Sequence, residues 1–282
     1  MHIPKLPDIV IEPIVRLALA EDLGVAGDVT TDALIPPDMM GRWGLNARKA
    51  GVVAGLDAAQ LAMRLVDPAL KMTIIANDGE NVEAGGAIAE LEGSAHSMLV
   101  AERVVLNFVG RLSGVATLTK AYIDAIQGTK AIIASTRKTT PGHRALEKRA
   151  VRLGGGGAHR YGLDDAILIK DNHVAAAGSI GDAIARAKAT TSHLMKVEVE
   201  VDSLAQLREA LPQKPDVVLL DNFSLEDMRT AVEFTKGAAM LEASGGVNLQ
   251  TVRAIAETGV DVISVGALTH SASTLDIGLD AL

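Results

Sequence analysis

Two rhythms of apolar and polar positions divide this chain. Beyond about residue 130, short and mostly apolar runs (AIIAST, AILIK, KVEVEV, VVLLD, AMLEAS and VISVG) alternate with stretches of helical spacing, notably 203–211, 224–235 and 248–257. Short runs of Val, Ile and Leu suit strands covered on both faces, and strand, helix, strand at this interval makes βαβ units with a parallel sheet. Asp202, Ser224 with Asp227 three residues on, and Asn248 are of N-cap type and stand where these helices begin.

The earlier residues follow another pattern. Apolar Ile14, Val15, Ala18 and Leu19 predict a helix over 11–22, with Gly24 as its stop. Segments 41–55 and 71–93 read as strands joined at Asn77-Asp78-Gly79 and Gly85-Gly86. The second of these resembles the small barrels of biotinyl and lipoyl carriers, but no lysine stands at its hairpin tip, so it reads as structural. The longest helical pattern runs over 97–127, with a break expected at Gly114 and Arg103 as a solvated or ion-paired residue. The expected domains are 1–112, an α/β unit with a helical start, and 113–282, an α/β unit with the parallel strands.

Composition narrows the chemistry. Three Phe, one Trp and two Tyr among 282 residues leave the core to Ala, Val, Ile and Leu, and make aromatic stacking a poor recognition device. The chain has no cysteine, which excludes disulfides, thiolate nucleophiles and cysteine-ligated metals. A net charge of −8 disfavours nucleic acid and anionic membrane surfaces as partners. No signal-peptide pattern or long uncharged apolar stretch is present, so a soluble cytoplasmic protein is expected. Against this acidic background, 137–160 holds seven Lys/Arg and one acid, Glu147. Such a run is ordinarily a solvated helix face, but Gly154–Gly157, His143 and His159 interrupt it.

Each apolar run after residue 130 ends in polar residues that a core does not need: Thr136-Arg137-Lys138, Lys170, Glu200, Asp221, Ser244-Gly245-Gly246 and Gly266. Glu200, Asp221, Ser244 and Gly266 are spaced by 21, 23 and 22 residues, about one βα unit each. In an α/β barrel the C-terminal strand ends surround one mouth, so these side chains converge. Arg137, Lys138, Arg160, Lys170 and His159 supply cationic donors, Glu200 and Asp221 supply carboxylates, and the glycine turns supply backbone N–H groups. Guanidinium forks bind carboxylates and phosphates, glycine turns before helices bind phosphate, and paired carboxylates hold Mg²⁺ or sugar hydroxyls. Read singly, each has a structural alternative: Asp221 as a helix cap, the glycines as connectors, His159 as a packed histidine. Together they describe a site for a polyanionic substrate with a phosphorylated sugar and a metal.

ASTRKTTPGHRALEKRAV, GGGGAHRYGLDDAILIKDNH, VEVEV, LLDN, EASGGV and ISVGALTHS, preceded by AEDLG, GDVTTDALIP and AERVVLNFVGRLSGVAT, are similar in order to the quinolinate phosphoribosyltransferases. These are the decarboxylating enzymes of NAD biosynthesis, also called nicotinate-nucleotide pyrophosphorylases. The likeness covers nearly the whole chain. It implies an N-terminal α/β sandwich domain and an open, incomplete α/β barrel of the type II phosphoribosyltransferases. It further implies a homodimer in which Arg103 of one subunit reaches the partner's barrel mouth.

By that resemblance, Arg103, Thr136, Arg137, Lys138, His159 and Arg160 hold quinolinate. Lys170 lies between the substrates, and Glu200 and Asp221 address the ribose hydroxyls and Mg²⁺ of phosphoribosyl pyrophosphate. Ser244, Gly245, Gly246, Gly266, Ala267 and Leu268 take its 5-phosphate. Lys138, Lys170, Glu200 and Asp221 are the candidate catalytic residues. His143 departs from the apolar residue expected after TTPG and concerns local packing only. The nearest alternative is a relative with a monocarboxylate acceptor, which needs fewer cations than Arg103, Arg137, Lys138 and Arg160 provide. A nucleic-acid binder is opposed by charge and few aromatics, while a metabolite sensor would use the same residues as the enzyme.

Overall fold

In the computed structural model, which describes residues 3–282, the first helix spans Asp8–Leu23 and turns Ile11, Val15 and Leu19 inward at i, i+4, i+8 spacing. The chain forms two units. One holds the residues up to Lys120 together with Thr139–Gly155 and Leu268–Leu282, the other Ala121–Lys138 and Gly156–Ala267.

The first unit is built on a four-stranded antiparallel sheet, ordered Ile277–Ala281, Met40–Ala47, Ala87–Ser94, Lys71–Ile74. The chain's last strand thus lies beside its first long one. The helix Leu56–Val66 buries Leu56, Ala58, Ala59, Leu61, Ala62 and Met63. A second short helix, Val29–Leu34, starts at Asp28, whose carboxylate accepts the N–H groups of Thr30 and Thr31 at 3.2 and 3.0 Å. The Thr31 hydroxyl also donates to this carboxylate, and that bond, followed by the N–H bonds, holds the Asp28 carboxyl below its ordinary range.

The long helix runs from Ala95 to Ala125 without interruption, so the break expected at Gly114 is absent. The glycine serves a different purpose: a Cβ there would meet the Ser273 carbonyl oxygen at 2.0 Å. Bare backbone at 114 lets the C-terminal segment press against the helix. Among the described residues, no helix is long and apolar enough to cross a membrane.

The basic run is not a solvated face either. Helix Arg144–Leu153 buries Glu147, Lys148 and Arg149. Glu147, fully buried, accepts from Arg111 Nη2 at 2.8 Å and from the N–H and Oγ1 of Thr140 at 3.0 and 2.8 Å. Arg149 Nη1 meets Asp78 at 2.6 Å and Asp57 at 3.5 Å. Burial raises the Asp78 carboxyl in spite of that partner.

The second unit carries six parallel strands, ordered Ile132–Ala134, Val262–Ser264, Met240–Ser244, Val217–Asp221, Val197–Val201, Ile167–Ile169. No ladder joins the first of these to the last, so the sheet is open, as expected for an incomplete barrel. Successive strand residues point to opposite faces. Val197, Val199 and Val201, at most 2% exposed, share one face of their strand, and Glu198 and Glu200 share the other. Helix starts are capped one residue later than expected at Ser203, whose hydroxyl accepts from Gln206 N–H, and as expected at Ser224. Asp202 is not a cap. Asn248 closes a turn on Gln250 and Thr251 instead, ahead of the helix Val252–Ala256.

Candidate active site

The inward-facing residues of the parallel strands enclose a cavity of about 650 Å³ within the second unit. Leu168 and Lys170, Leu219 and Asp221, Glu242 and Ser244 line it as pairs two residues apart, joined by Glu200 and Ser264. Period two is the pleat of a strand, so one face of each strand furnishes the wall, and residues at or next to the strand ends furnish the rim. Thr136, Arg137 and Lys138, just after Ile132–Ala134, and His159 and Arg160 complete the lining. The convergence argued from strand ends therefore holds for Thr136, Arg137, Lys138, His159, Arg160, Lys170, Glu200, Asp221, Ser244, Gly245 and Gly246.

Charge is arranged in opposition across this space. Lys170 Nζ donates to Glu200 Oε2 at 2.7 Å. Asp221 accepts from Asn222 Nδ2 at 2.9 Å, and its carboxyl is raised, first by burial and then by the Glu200 charge, against the pull of Lys170 and Lys138. Glu200 and Asp221 are the oxygen donors that a hard cation would find here. Asn222 takes a left-handed φ of 54°, which asparagine tolerates, and its N–H donates to the Ser244 carbonyl at 2.9 Å. Gly245, at φ +95°, could not be another residue without displacing Asn222, whose Oδ1 lies 2.1 Å from the position of a Cβ.

Elsewhere in the lining, Arg160 Nη1 donates to the Ala166 carbonyl at 3.1 Å while its buried Nε has no hydrogen-bond partner. Burial, and then the neighbouring Arg137 charge, lower the Arg160 guanidinium from its ordinary range, though not enough to discharge it. His159 Nε2 lies 3.0 Å from Glu198 Oε2 and 3.6 Å from Glu242 Oε1. Burial, with the Glu198 charge next, pushes the Glu242 carboxyl up to about 7.

Glu198 and Glu242 were not singled out from the sequence. Both are internal to strands, where a charged residue is read as part of the run. The available signal was spacing: Glu198 stands two before Glu200, and Glu242 two before Ser244, hence on the same faces as residues already assigned to the mouth.

Other expected residues are placed differently. Gly266 and Ala267 follow the strand Val262–Ser264 at the start of the four-residue helix Ala267–His270 and are half-buried. The Leu268 side chain is fully buried, which leaves only its backbone for a ligand. None of these three lines the cavity. Arg103 is an exposed residue of the helix Ala95–Ala125 in the first unit.

Comparison with known proteins adds to this geometry. The family model described as quinolinate phosphoribosyl transferase, N-terminal domain, matches residues 28–113, and the C-terminal domain model matches 115–280. A nicotinate-nucleotide pyrophosphorylase (carboxylating) of Mycobacterium leprae is 45% identical over 271 residues, covering 94% of this chain and 95% of the relative. A quinolinate phosphoribosyltransferase (decarboxylating) 1b of Nicotiana tabacum is 42% identical over 297 residues, covering 98% and 83%. The solved structure of the nicotinate-nucleotide pyrophosphorylase from Francisella tularensis superimposes with a TM-score of 0.95 at 40% identity, covering 100% of this chain and 99% of that one.

Proposed function

This chain belongs to the quinolinate phosphoribosyltransferase family, and from that premise we propose how its own side chains divide the work. The reaction moves the phosphoribosyl group of phosphoribosyl pyrophosphate to quinolinate with loss of CO₂, giving nicotinate mononucleotide and pyrophosphate for NAD biosynthesis. The observation that carries the division is the single cavity in which Arg137, Lys138, Arg160 and Lys170 face Glu200 and Asp221.

Quinolinate presents two adjacent carboxylates. Arg137 and Arg160 match them with planar forks, Lys138 and Thr136 add donors, and Arg103 of a second subunit in a homodimer closes the site. On the other side, Glu200 and Asp221 accept the ribose hydroxyls, and the Ser244–Gly246 turn offers N–H groups to the 5-phosphate, with the backbone at Gly266–Leu268 as a second support. Lys170, tied to Glu200, lies where the two substrates meet.

As the bond from the anomeric carbon to pyrophosphate breaks, the pyridine nitrogen bonds to that carbon, through a transition state with oxocarbenium character. Glu200 and Asp221 stand where they stabilise that positive charge. The alkylated ring nitrogen then carries a positive charge beside the carboxylate it will lose. The electron pair of the breaking C–C bond remains on the ring carbon, which takes a proton as CO₂ departs. The protein's part is to hold that carboxylate out of water.

Glu200 and Asp221 fit Mg²⁺. Their mutual repulsion, which helps to raise Asp221, is what a hard cation relieves, and two carboxylates plus substrate oxygens are its usual ligands. When bound, Mg²⁺ neutralises charge on the departing pyrophosphate.

The test is product analysis with quinolinate or nicotinate as acceptor, with and without Mg²⁺. Nicotinate mononucleotide and CO₂ from quinolinate alone, abolished by a chelator, is the expected result. In Glu200→Gln/Asp221→Asn the KM for phosphoribosyl pyrophosphate should rise by about tenfold or more while quinolinate binding by calorimetry changes little. Equal loss of both, or turnover with nicotinate only, overturns the assignment.

A further inference from the structure

We propose that Glu198 is a positioning residue for the acceptor site: with Glu242 flanking the same nitrogen, it holds His159 as a neutral donor whose second nitrogen fixes the backbone of Arg160. The proposal rests on the phosphoribosyl-transfer reading above and assigns a role to a carboxyl that reading leaves unused.

The backbone N–H of Arg160 donates to Nδ1 of His159 at 2.8 Å. A ring nitrogen that accepts an N–H carries no proton, so the proton of the neutral imidazole is on Nε2. Nε2 faces Glu198 Oε2 at 3.0 Å and Glu242 Oε1 at 3.6 Å, and both side chains are less than 10% exposed. An imidazolium would set a second N–H against the Arg160 amide. His159 therefore lines the cavity without lending it charge, and the charge facing the acceptor belongs to Arg137, Lys138 and Arg160.

The consequence passes to Arg160. Its guanidinium is anchored through Nη1 to the Ala166 carbonyl, and its Nε is buried with no protein partner. Where that Nε points depends on the backbone at 160, which His159 holds. Glu198 also supplies countercharge to the same guanidinium.

A buried carboxylate with an unpaired oxygen is costly, and the Oε1 atoms of both Glu198 and Glu242 lack hydrogen-bond partners. Protonation of Glu242, which also receives a hydrogen bond from Ser264, lets the pair persist with one negative charge. A divalent metal is the competing occupant, since ligand atoms of His159, Glu198 and Glu242 lie within 4.8 Å of one another. Metal on Nε2 would need a proton on Nδ1, donated to an acceptor. The Arg160 N–H occupies that position and is itself a donor.

The decisive experiment is ¹⁵N NMR of the full-length chain labelled at histidine, with His159 assigned by difference from His159→Asn. A protonated Nε2 and a bare Nδ1, between about pH 6 and 8, are expected; an imidazolium, the opposite tautomer or a metal-shifted signal on adding Zn²⁺ overturns the proposal. In kinetics, Glu198→Leu should raise the KM for quinolinate about tenfold with the KM for phosphoribosyl pyrophosphate changed less than about twofold. Glu198→Gln, whose amide oxygen accepts the Nε2 proton, should recover most of that loss. Equal rises in both KM values, or no recovery with glutamine, count against positioning. The tautomer is read without substrate and without a variant at 198, so it decides even where Glu198→Leu does not fold. A wild-type chain that does not turn over quinolinate defeats the phosphoribosyl-transfer reading alone.

Discussion

Replacing Gly114 with alanine distinguishes two explanations of this glycine by the sign of a stability change. Glycine in a helix interior costs about 1 kcal/mol relative to alanine, so a glycine present only to loosen the helix would be improved on. The structure predicts the reverse. A Cβ at 114 falls 2.0 Å from the carbonyl oxygen of Ser273, 3.0 Å from its carbon and 3.2 Å from Leu275 N, all backbone atoms that cannot swing aside. To restore van der Waals distance the segment must retreat by more than about 1 Å. That motion opens the bond from Leu275 N–H to the Gly110 carbonyl, now 2.9 Å, and lifts Leu275 from a site where it is 7% exposed. Overpacking costs about 1–3 kcal/mol and the hydrogen bond about 1, against a propensity gain of about 1. The net expectation is a loss of about 1–3 kcal/mol, which in thermal unfolding of a chain this size is a Tm lower by roughly 2–10 °C. A Tm equal to or above that of the wild type refutes the close-approach explanation.

Two further outcomes follow from the site. The Glu242 carboxyl lies at about 7 against an ordinary 4.5, so the folded state keeps a proton that the unfolded chain releases. Its stability contribution is full below about pH 4.5 and lost as pH rises through 7, at most about 3 kcal/mol. Wild-type Tm should therefore fall between about pH 5 and 8, and Glu242→Gln should flatten the decline; parallel slopes contradict it. Separately, mixing inactive Arg103→Ala with inactive Arg137→Ala should restore up to about one quarter of wild-type activity, because half the mixed dimers' sites regain both arginines. No recovery after subunit exchange denies that the site is shared.

Much of this arrangement could be read along the chain because parallel strands are simple objects. A buried strand is apolar until it emerges, so Lys170, Asp221 and Ser244 mark their own strand ends, and equal βα intervals bring them to one rim. What escaped reading depends on neighbours remote in sequence. Glu198 and Glu242 gain their meaning from His159, which no local pattern connects to them. The role of Gly114 depends on Ser273, far along the chain, whose approach leaves no mark on the helical pattern around 114. Ser203 displaced Asp202 as a cap by a single residue, a choice that depends on the turn leaving Val197–Val201. The short strand Ile277–Ala281 carries only two large apolar residues, and its pairing with Met40–Ala47 supplies what its composition does not.

That last pairing also dictates an order of events during synthesis. The strand Met40–Ala47 leaves the ribosome with one neighbour soon to follow, Ala87–Ser94, but its other edge waits for Ile277–Ala281, which emerges only after the whole second unit. Until then the edge is open to pairing with another nascent chain. The helix Arg144–Leu153, with the Glu147 and Arg149 ion pairs it brings, is likewise absent from any fragment stopped at residue 112. The first unit begun is thus completed only after the second has been made, and losing Ile277–Ala281 would strike the sheet that Met40–Ala47 and Ala87–Ser94 build.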